Sequence, residues 1–122
     1  MVTVLLIDDS AFQRKIITKI LNELGHDVIT ADNGHEGVER ILNEKPAIVL
    51  SDLLMPGYDG TWVLGQLKER EIKVPVIMVT SDVQTTTRDL CMSLGAFDYL
   101  NKPVQKNLLQ ATIKKALTAG TI

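Results

Sequence analysis

Short apolar runs and amphipathic stretches alternate along this chain from end to end, and no other feature limits its possible folds as much. Thr3–Ile7, Val28–Ala31, Ala47–Leu50, Val74–Val79 and Phe97–Leu100 are brief and mostly apolar, several of them rich in Val and Ile. That is the pattern of strands buried on both faces. Between them apolar residues recur at helical spacing. Phe12, Ile16, Ile20 and Leu24, with Ile17 and Leu21 alongside, predict the inner face of a first helix. Val38, Ile41 and Leu42 do so for a second, Val63, Leu64 and Leu67 for a third, and Val83, Leu90, Cys91 and Leu94 for a fourth. Leu108, Leu109, Ile113, Ala116 and Leu117 mark a fifth. Asn33 with Glu36 three residues on resembles a capping box, Asp59 can cap the third helix, and Ser10 or Asp9 the first. Leu24-Gly25-His26 and Leu94-Gly95-Ala96 are matching helix stops, each followed by a strand. Five strand-then-helix units predict an α/β fold, a doubly wound (βα)5 arrangement with a five-stranded parallel sheet covered on both faces.

The 122 residues suffice for one core and are expected to form a single domain, 1–122. With 45% hydrophobic and 23% charged residues, the chain is neither disordered nor fibrous. Its apolar runs are too short to span a bilayer, and Asp8 interrupts any signal-peptide core. A lone cysteine, Cys91, makes no internal disulfide or Cys-based zinc site, and suits a reducing cytoplasm. We read it as a small core residue. A net charge of -2 without a Lys/Arg run leaves no footprint for nucleic acid. His26 and His35 lack metal-ligand spacing and read as solvated, while Trp62 is expected to pack against a neighbouring loop.

In sheets of this kind ligands sit at the carboxyl ends of the strands. Asp8-Asp9, Asp52, Thr80-Ser81 and Asn101-Lys102-Pro103 stand there, so three carboxylates, a hydroxyl and an ammonium should converge. Carboxylates a few ångströms apart repel by roughly 4 kcal/mol per pair at an effective dielectric near 20, so the cluster needs a cation. Its oxygen-only donors suit Mg²⁺, with Mn²⁺ as a substitute, far better than zinc. Lys102 supplies a fixed positive charge for an anion. A metal, a lysine and a hydroxyl around a carboxylate make a phosphoryl-transfer site.

These residues carry a resemblance that covers essentially the whole chain. Asp8-Asp9, the run from Asp52 through Pro56 and Gly57 to Asp59-Gly60, Thr80, and Gly95-Ala96 leading through Tyr99 to Lys102-Pro103 stand in the order and spacing of a response-regulator receiver domain. The stand-alone format is similar to the single-domain chemotaxis regulators of the CheY type. The resemblance implies a flavodoxin/CheY-like strand order 2-1-3-4-5. It implies that Asp52 accepts a phosphoryl group from a sensor histidine kinase's phosphohistidine or from a small donor such as acetyl phosphate. Asp9, Asp52 and the main-chain carbonyl of Leu54 would bind Mg²⁺, with Asp8 acting mostly through water. Lys102 would pair with the acyl phosphate, Thr80 would move to hydrogen-bond it, and Tyr99 would turn inward as Thr80 vacates its space. The bond before Pro103 would be cis.

Phosphorylation adds charge and three strong acceptor oxygens, so it biases a two-state protein toward whichever conformation pairs them better. The readout face for a downstream protein would be the fourth helix, fifth strand and fifth helix. Thr85-Thr86-Thr87 lower helix propensity in that fourth helix, a hint that it is easily moved. Leu54 and Asp82 occupy positions that tune dephosphorylation in this family, and an aliphatic Leu54 cannot orient water. Departures from the family pattern, Gly37, Ala47 and Val104, leave the phosphorylation residues untouched. The expected protein is a monomeric cytoplasmic signalling switch, not a turnover enzyme, with no nucleic-acid or membrane partner and with its output in another molecule. Alternatives are a phosphorelay intermediate or the receiver part of a larger regulator. A haloacid-dehalogenase-type phosphatase is disfavoured because it wants a second acid where Leu54 stands. A flavodoxin-like nucleotide site would need glycines that Asp8-Asp9-Ser10-Ala11-Phe12 lacks.

Overall fold

The computed structural model describes residues 1–119. Strands β1 (Thr3–Ile7), β2 (Asp27–Ala31), β3 (Ile48–Ser51), β4 (Val76–Thr80) and β5 (Asp98–Asn101) alternate with helices α1 (Ala11–Glu23), α2 (Gly34–Glu44), α3 (Gly60–Glu69), α4 (Thr85–Ser93) and α5 (Lys106–Ala119). The strands form one parallel sheet in the order β2-β1-β3-β4-β5. Strand order therefore reverses beside β1, which pairs with both β2 and β3.

The central strands β1, β3 and β4 are almost wholly apolar because each feeds two cores, whereas the edge strands β2 and β5 carry Asp27, Asp98 and Asn101. Successive side chains point to opposite faces. Leu5 and Ile7 join Val38, Ile41, Val63, Leu64 and Cys91 on one side, whereas Val4 and Leu6 join Ile17, Leu21, Leu109 and Ile113 on the other. Cys91 is fully buried, and burial pushes its thiol above the ordinary range, so it is an inert core residue.

Several residues expected to face inward do not. In α1, Phe12 is 71% exposed and Ile16 is also exposed, while Ile17 and Leu21 are the buried pair. A ladder of every fourth residue turns about 40° per step around a 3.6-residue helix, so Phe12, Ile16, Ile20 and Leu24 cannot share one face. Leu42, Leu90 and Leu108 are exposed for a related reason: each stands one residue from a buried Ile41, Cys91 or Leu109 and is turned about 100° away from it. Val83 is exposed because it precedes α4, in the loop after β4. β4 starts at Val76 instead of Val74, because Pro75 has no N–H to give and contributes only its carbonyl, which accepts from Val49 N at 3.0 Å.

The helix ends follow the capping residues. Ser10, Asn33 and Asp59 accept from the backbone N–H three residues on, at 3.2, 2.9 and 3.0 Å. Asn33 makes only half a capping box, since the Glu36 carboxylate lies toward Arg40, 4.0 Å away. Gly25 and Gly95 adopt φ of +89° and +105°, the left-handed stop expected after α1 and α4. α4 has no side-chain N-cap, and its three threonines occupy its first turn. His26 is not simply solvated: its Nδ1 accepts from Val2 N at 3.3 Å, and partial burial followed by the nearby N-terminal charge lowers its pKa.

Candidate functional site

Main-chain pairing carries β1, β3 and β5 one residue past their formal ends and so fixes the residues that follow. Asp8 N donates to Ala31 O at 3.0 Å, Asp52 N to Ile7 O at 2.8 Å, and Lys102 N to Thr80 O at 2.9 Å. Asp8 and Asp52 are thereby fixed at the ends of the neighbouring strands β1 and β3, and Lys102 at the end of β5, two strands from β3 at the same edge of the sheet. Asp9 follows Asp8 in the turn before α1. One carboxylate oxygen each from Asp8, Asp9 and Asp52 lies within 4.8 Å of the others.

The charges are held at close quarters and mostly out of water. Asp8 is 1% exposed; its Oδ1 accepts from Ser10 N at 2.9 Å and its Oδ2 from Lys102 Nζ at 2.8 Å. Asp52 is 8% exposed; its Oδ1 accepts from Leu53 N at 2.7 Å and its Oδ2 from Lys102 Nζ at 3.2 Å. One ammonium thus serves two buried carboxylates. Burial works against the charge of Lys102, but the Asp8 hydrogen bond and the fields of Asp52 and Asp8 outweigh it and hold its pKa above the ordinary value. Asp52 ends up on the other side of the balance. Burial raises its pKa, the charge of Lys102 lowers it, the charge of Asp8 raises it again, and the net direction is up. With three carboxylates against one ammonium, the cluster is short of positive charge. Its hard oxygen donors suit Mg²⁺ in kind, with water completing the shell.

Gly60, at the start of α3, comes against the back of this site. Its N–H donates to Leu53 O at 2.9 Å, and a Cβ there would sit 2.6 Å from the Asp52 carbonyl oxygen. It would also meet the Met78 methyl, which can swing away, but the backbone obstacle admits no relief by rotamer change. Gly60→Ala is expected to cost about 2 kcal/mol of stability by overpacking, read as a lower urea midpoint at unchanged slope. An unchanged midpoint would show that the Asp52 backbone yields freely.

Thr80 ends β4, almost fully buried, with its Oγ1 accepting from Asp82 N at 3.3 Å. Tyr99, expected to face outward until Thr80 moves, is already buried, because its hydroxyl finds an acceptor inside and donates to Asp82 O at 2.7 Å. Burial first, then the Asp82 charge, raises the Tyr99 pKa, so the hydroxyl keeps its proton and remains a donor. Asn101 Nδ2 donates to the same Asp82 carbonyl at 2.8 Å. Thr80, Tyr99 and Asn101 therefore meet at the backbone of one loop residue. The Lys102–Pro103 peptide is cis.

Leu54 lies exposed at the rim, and beyond it Tyr58 packs edge-on to half-buried Trp62 with ring centroids 4.6 Å apart. His35, expected to stand free, is exposed yet lies 5.3 Å from the Tyr58 ring. The linking role of the Asp82 backbone, the Asn101 amide and the part-buried Arg14, whose Nη1 donates to Asp8 O at 2.7 Å, escaped sequence reasoning. The only signal for Arg14 was its place one helical turn after Ser10. A groove of about 590 Å³ between Leu67, Ile72, Pro75, Leu94 and Phe97 is lined by no carboxylate, and the clustered charges are not part of it.

A (βα)5 sheet with an acidic cluster and a lysine at its carboxyl edge defines a receiver domain of two-component signalling. The family model of the response regulator receiver domain matches residues 4–114, and the chain belongs to that family. It is 40% identical to Protein PilH of Pseudomonas aeruginosa over 119 residues, 96% of this chain and 98% of that protein. It is 31% identical to the alkaline phosphatase synthesis transcriptional regulatory protein PhoP of Bacillus subtilis, covering 98% of this chain but 50% of PhoP. The chain likewise spans about half the length of the probable transcriptional regulators ycf27 that it matches. Among solved structures it resembles the receiver domain of Francisella response regulator 1452, with a TM-score of 0.92, 26% identity, and coverage of 99% of this chain and 100% of that one. It also resembles the Vibrio cholerae chemotaxis protein CheY4, with a TM-score of 0.88, 25% identity, and coverage of 96% and 99%. Receiver domains bind Mg²⁺ at an acidic cluster, and Asp8, Asp9 and Asp52 form one here. No helix among the described residues is long and apolar enough to cross a membrane.

Proposed function

We propose that residues 1–122 form a single receiver domain that acts as a phosphoryl-accepting switch, with Asp52 as the acceptor. The observation that carries this reading is the pairing of Lys102 Nζ with both Asp8 and Asp52, beside Asp9, at the carboxyl edge of the sheet. An Asp52 oxygen attacks phosphorus as the bond to the donor breaks. The leaving group is the imidazole of a kinase phosphohistidine, or acetate from acetyl phosphate, and an acyl phosphate forms. Asp9, Asp52 and the Leu54 carbonyl, with Asp8 acting through water, would hold Mg²⁺ (or Mn²⁺), which when bound would neutralise charge on the transferring oxygens. Lys102 then leaves the Asp52 carboxylate for the phosphoryl oxygens. Thr80 exchanges its bond with Asp82 N for one to the phosphate. That exchange frees the loop to which Tyr99 and Asn101 are tied, and α4 begins in that loop without a side-chain cap. The altered face of α4, β5 and α5 engages a downstream protein.

The chemistry is self-catalysed and has no turnover substrate. The nearly full-length match to PilH and the likeness to CheY4 favour a stand-alone, cytoplasmic, chemotaxis-type regulator, working as a monomer without nucleic acid or membrane. The half-length matches to PhoP and ycf27 support a second reading, the receiver part of a longer response regulator or a phosphorelay intermediate. Beryllium trifluoride tests the switch, since it occupies the acyl-phosphate position on a carboxylate without hydrolysis. Added with Mg²⁺, it should shift the amide resonances of Thr80, Asp82 and Tyr99. Spectra unchanged at those residues would refute the two-state reading.

A further inference from the structure

Asp9 is the exposed member of the acidic cluster, and among the described residues its carboxylate makes no hydrogen bond or ion pair with the protein. What aims it is therefore its backbone. The Asp8–Asp9 peptide is held from two directions. On one side, the Asp8 carboxylate is fixed by Ser10 N and Lys102 Nζ. On the other, the Asp8 carbonyl receives the Arg14 Nη1 donor at 2.7 Å. That carbonyl belongs to the peptide plane that ends on the Asp9 Cα, so holding it holds the Asp9 N and Cα in place and leaves φ as the only backbone rotation by which the Asp9 side chain can change direction. Arg14 stands on α1, whose own N-terminus is closed by Ser10. Its guanidinium is thus spent on the strand end it faces, and a charge-assisted bond of this length is strong and directional.

We infer that Arg14 is a positioning residue for the metal site, one that acts through the Asp8–Asp9 peptide to hold the Asp9 carboxylate where a divalent cation can use it. This rests on the proposed Mg²⁺ site and adds a residue that touches neither metal nor phosphoryl group. Simple electrostatics gives the opposite expectation: a cation beside a metal site repels the metal, so removing it should tighten binding. The two accounts differ in sign.

The test is a calorimetric or amide-resonance titration of the full chain with MgCl₂, on protein first stripped with EDTA, together with the Tm of the metal-free protein. Arg14→Met keeps most of the side-chain length and removes donors and charge. It should weaken Mg²⁺ binding about tenfold, in the range seen when an outer partner of a metal ligand is lost. Arg14→Lys keeps the charge and one donor able to reach the carbonyl, and should bind within about threefold of wild type, a recovery expected of a residue that works by donation. Mg²⁺ binding by Arg14→Met that equals or exceeds that of wild type would overturn the inference. So would a weakening matched by a collapse of the metal-free amide spectrum, because the arginine would then serve the fold as a whole. Should Arg14→Met fail to fold, Arg14→Gln is titrated in its place with the same criteria. Failure of the underlying site reading looks different: wild-type protein itself would show no saturable response to Mg²⁺.

Discussion

Lys102→Ala is expected to lower the Tm of the metal-free protein by roughly 12 °C, the equivalent of about 3 kcal/mol. The substitution leaves the two carboxylates of Asp8 and Asp52 buried without their shared ammonium, 2.8 and 3.2 Å from where it was. Removing one partner from a buried ion pair is far more damaging than the pair is stabilising, because the remaining charge loses its compensation. The sign with pH is fixed by the raised pKa of Lys102. A base whose folded pKa lies above its unfolded one contributes stability that is complete below the unfolded value, about 10.4, and fades only above it. The deficit is therefore complete at neutral pH. Excess Mg²⁺ should narrow it, since a divalent cation takes over the neutralisation, and Mg²⁺ binding itself should survive. Beryllium trifluoride, by contrast, should no longer shift Thr80 and Tyr99. A Tm within about 2 °C of wild type in EDTA would mean that the carboxylates find solvent or one another's protons instead.

Asp52→Asn should abolish phosphorylation by acetyl phosphate while making the metal-free protein more stable. The loss is complete because the amide has no anionic oxygen with which to attack phosphorus. The gain follows from the environment of Asp52, where burial and the neighbouring Asp8 leave its pKa raised despite Lys102. An acid of raised pKa binds more protons folded than unfolded between its unfolded value, about 3.9, and its folded one. Stability then falls as pH rises through that window, and the penalty is complete above it. Asparagine carries no such penalty, so its Tm should exceed that of wild type at pH 7, each kcal/mol of relief counting for about 4 °C. The difference should shrink as the pH approaches 4 and reverse at pH 7 when Mg²⁺ stabilises only the wild type. Retained labelling of the variant would move the acceptor elsewhere; a lower Tm in EDTA would show that the Lys102 pair outweighs desolvation.

That the strands are parallel, and which residues stand at their carboxyl edge, was legible in the sequence because both follow from chain order, whereas the strand order that brings β1 beside β3 came from the family resemblance. Strands such as Val4 to Ile7 are apolar at every position since both faces are covered, and a parallel strand's carboxyl end is fixed once its direction is known. Asp8, Asp52 and Lys102 could therefore be placed together without knowing any distance. Helix faces were less legible. Phe12 and Ile16 are hydrophobic but exposed, while the half-buried flank of α1 is used by Arg14, so apolar spacing alone misjudged how α1 rolls on the sheet. Least legible were contacts that end on main-chain carbonyls. The Asp82 carbonyl that gathers Tyr99 and Asn101, and the Asp8 carbonyl that receives Arg14, have no side-chain signature, because every residue carries the same acceptor.

The claim on which the account stands is that Asp52 is the residue that accepts the phosphoryl group. Borohydride reduces an aspartyl acyl phosphate to homoserine and leaves unmodified carboxylates alone, so it writes the acceptor permanently into the chain. Wild-type protein treated with acetyl phosphate and Mg²⁺, reduced and mapped by peptide mass spectrometry should carry homoserine at position 52, and only when Mg²⁺ is present. Homoserine at position 8 or 9, or a phosphate that survives borohydride on a hydroxyl side chain, would contradict it.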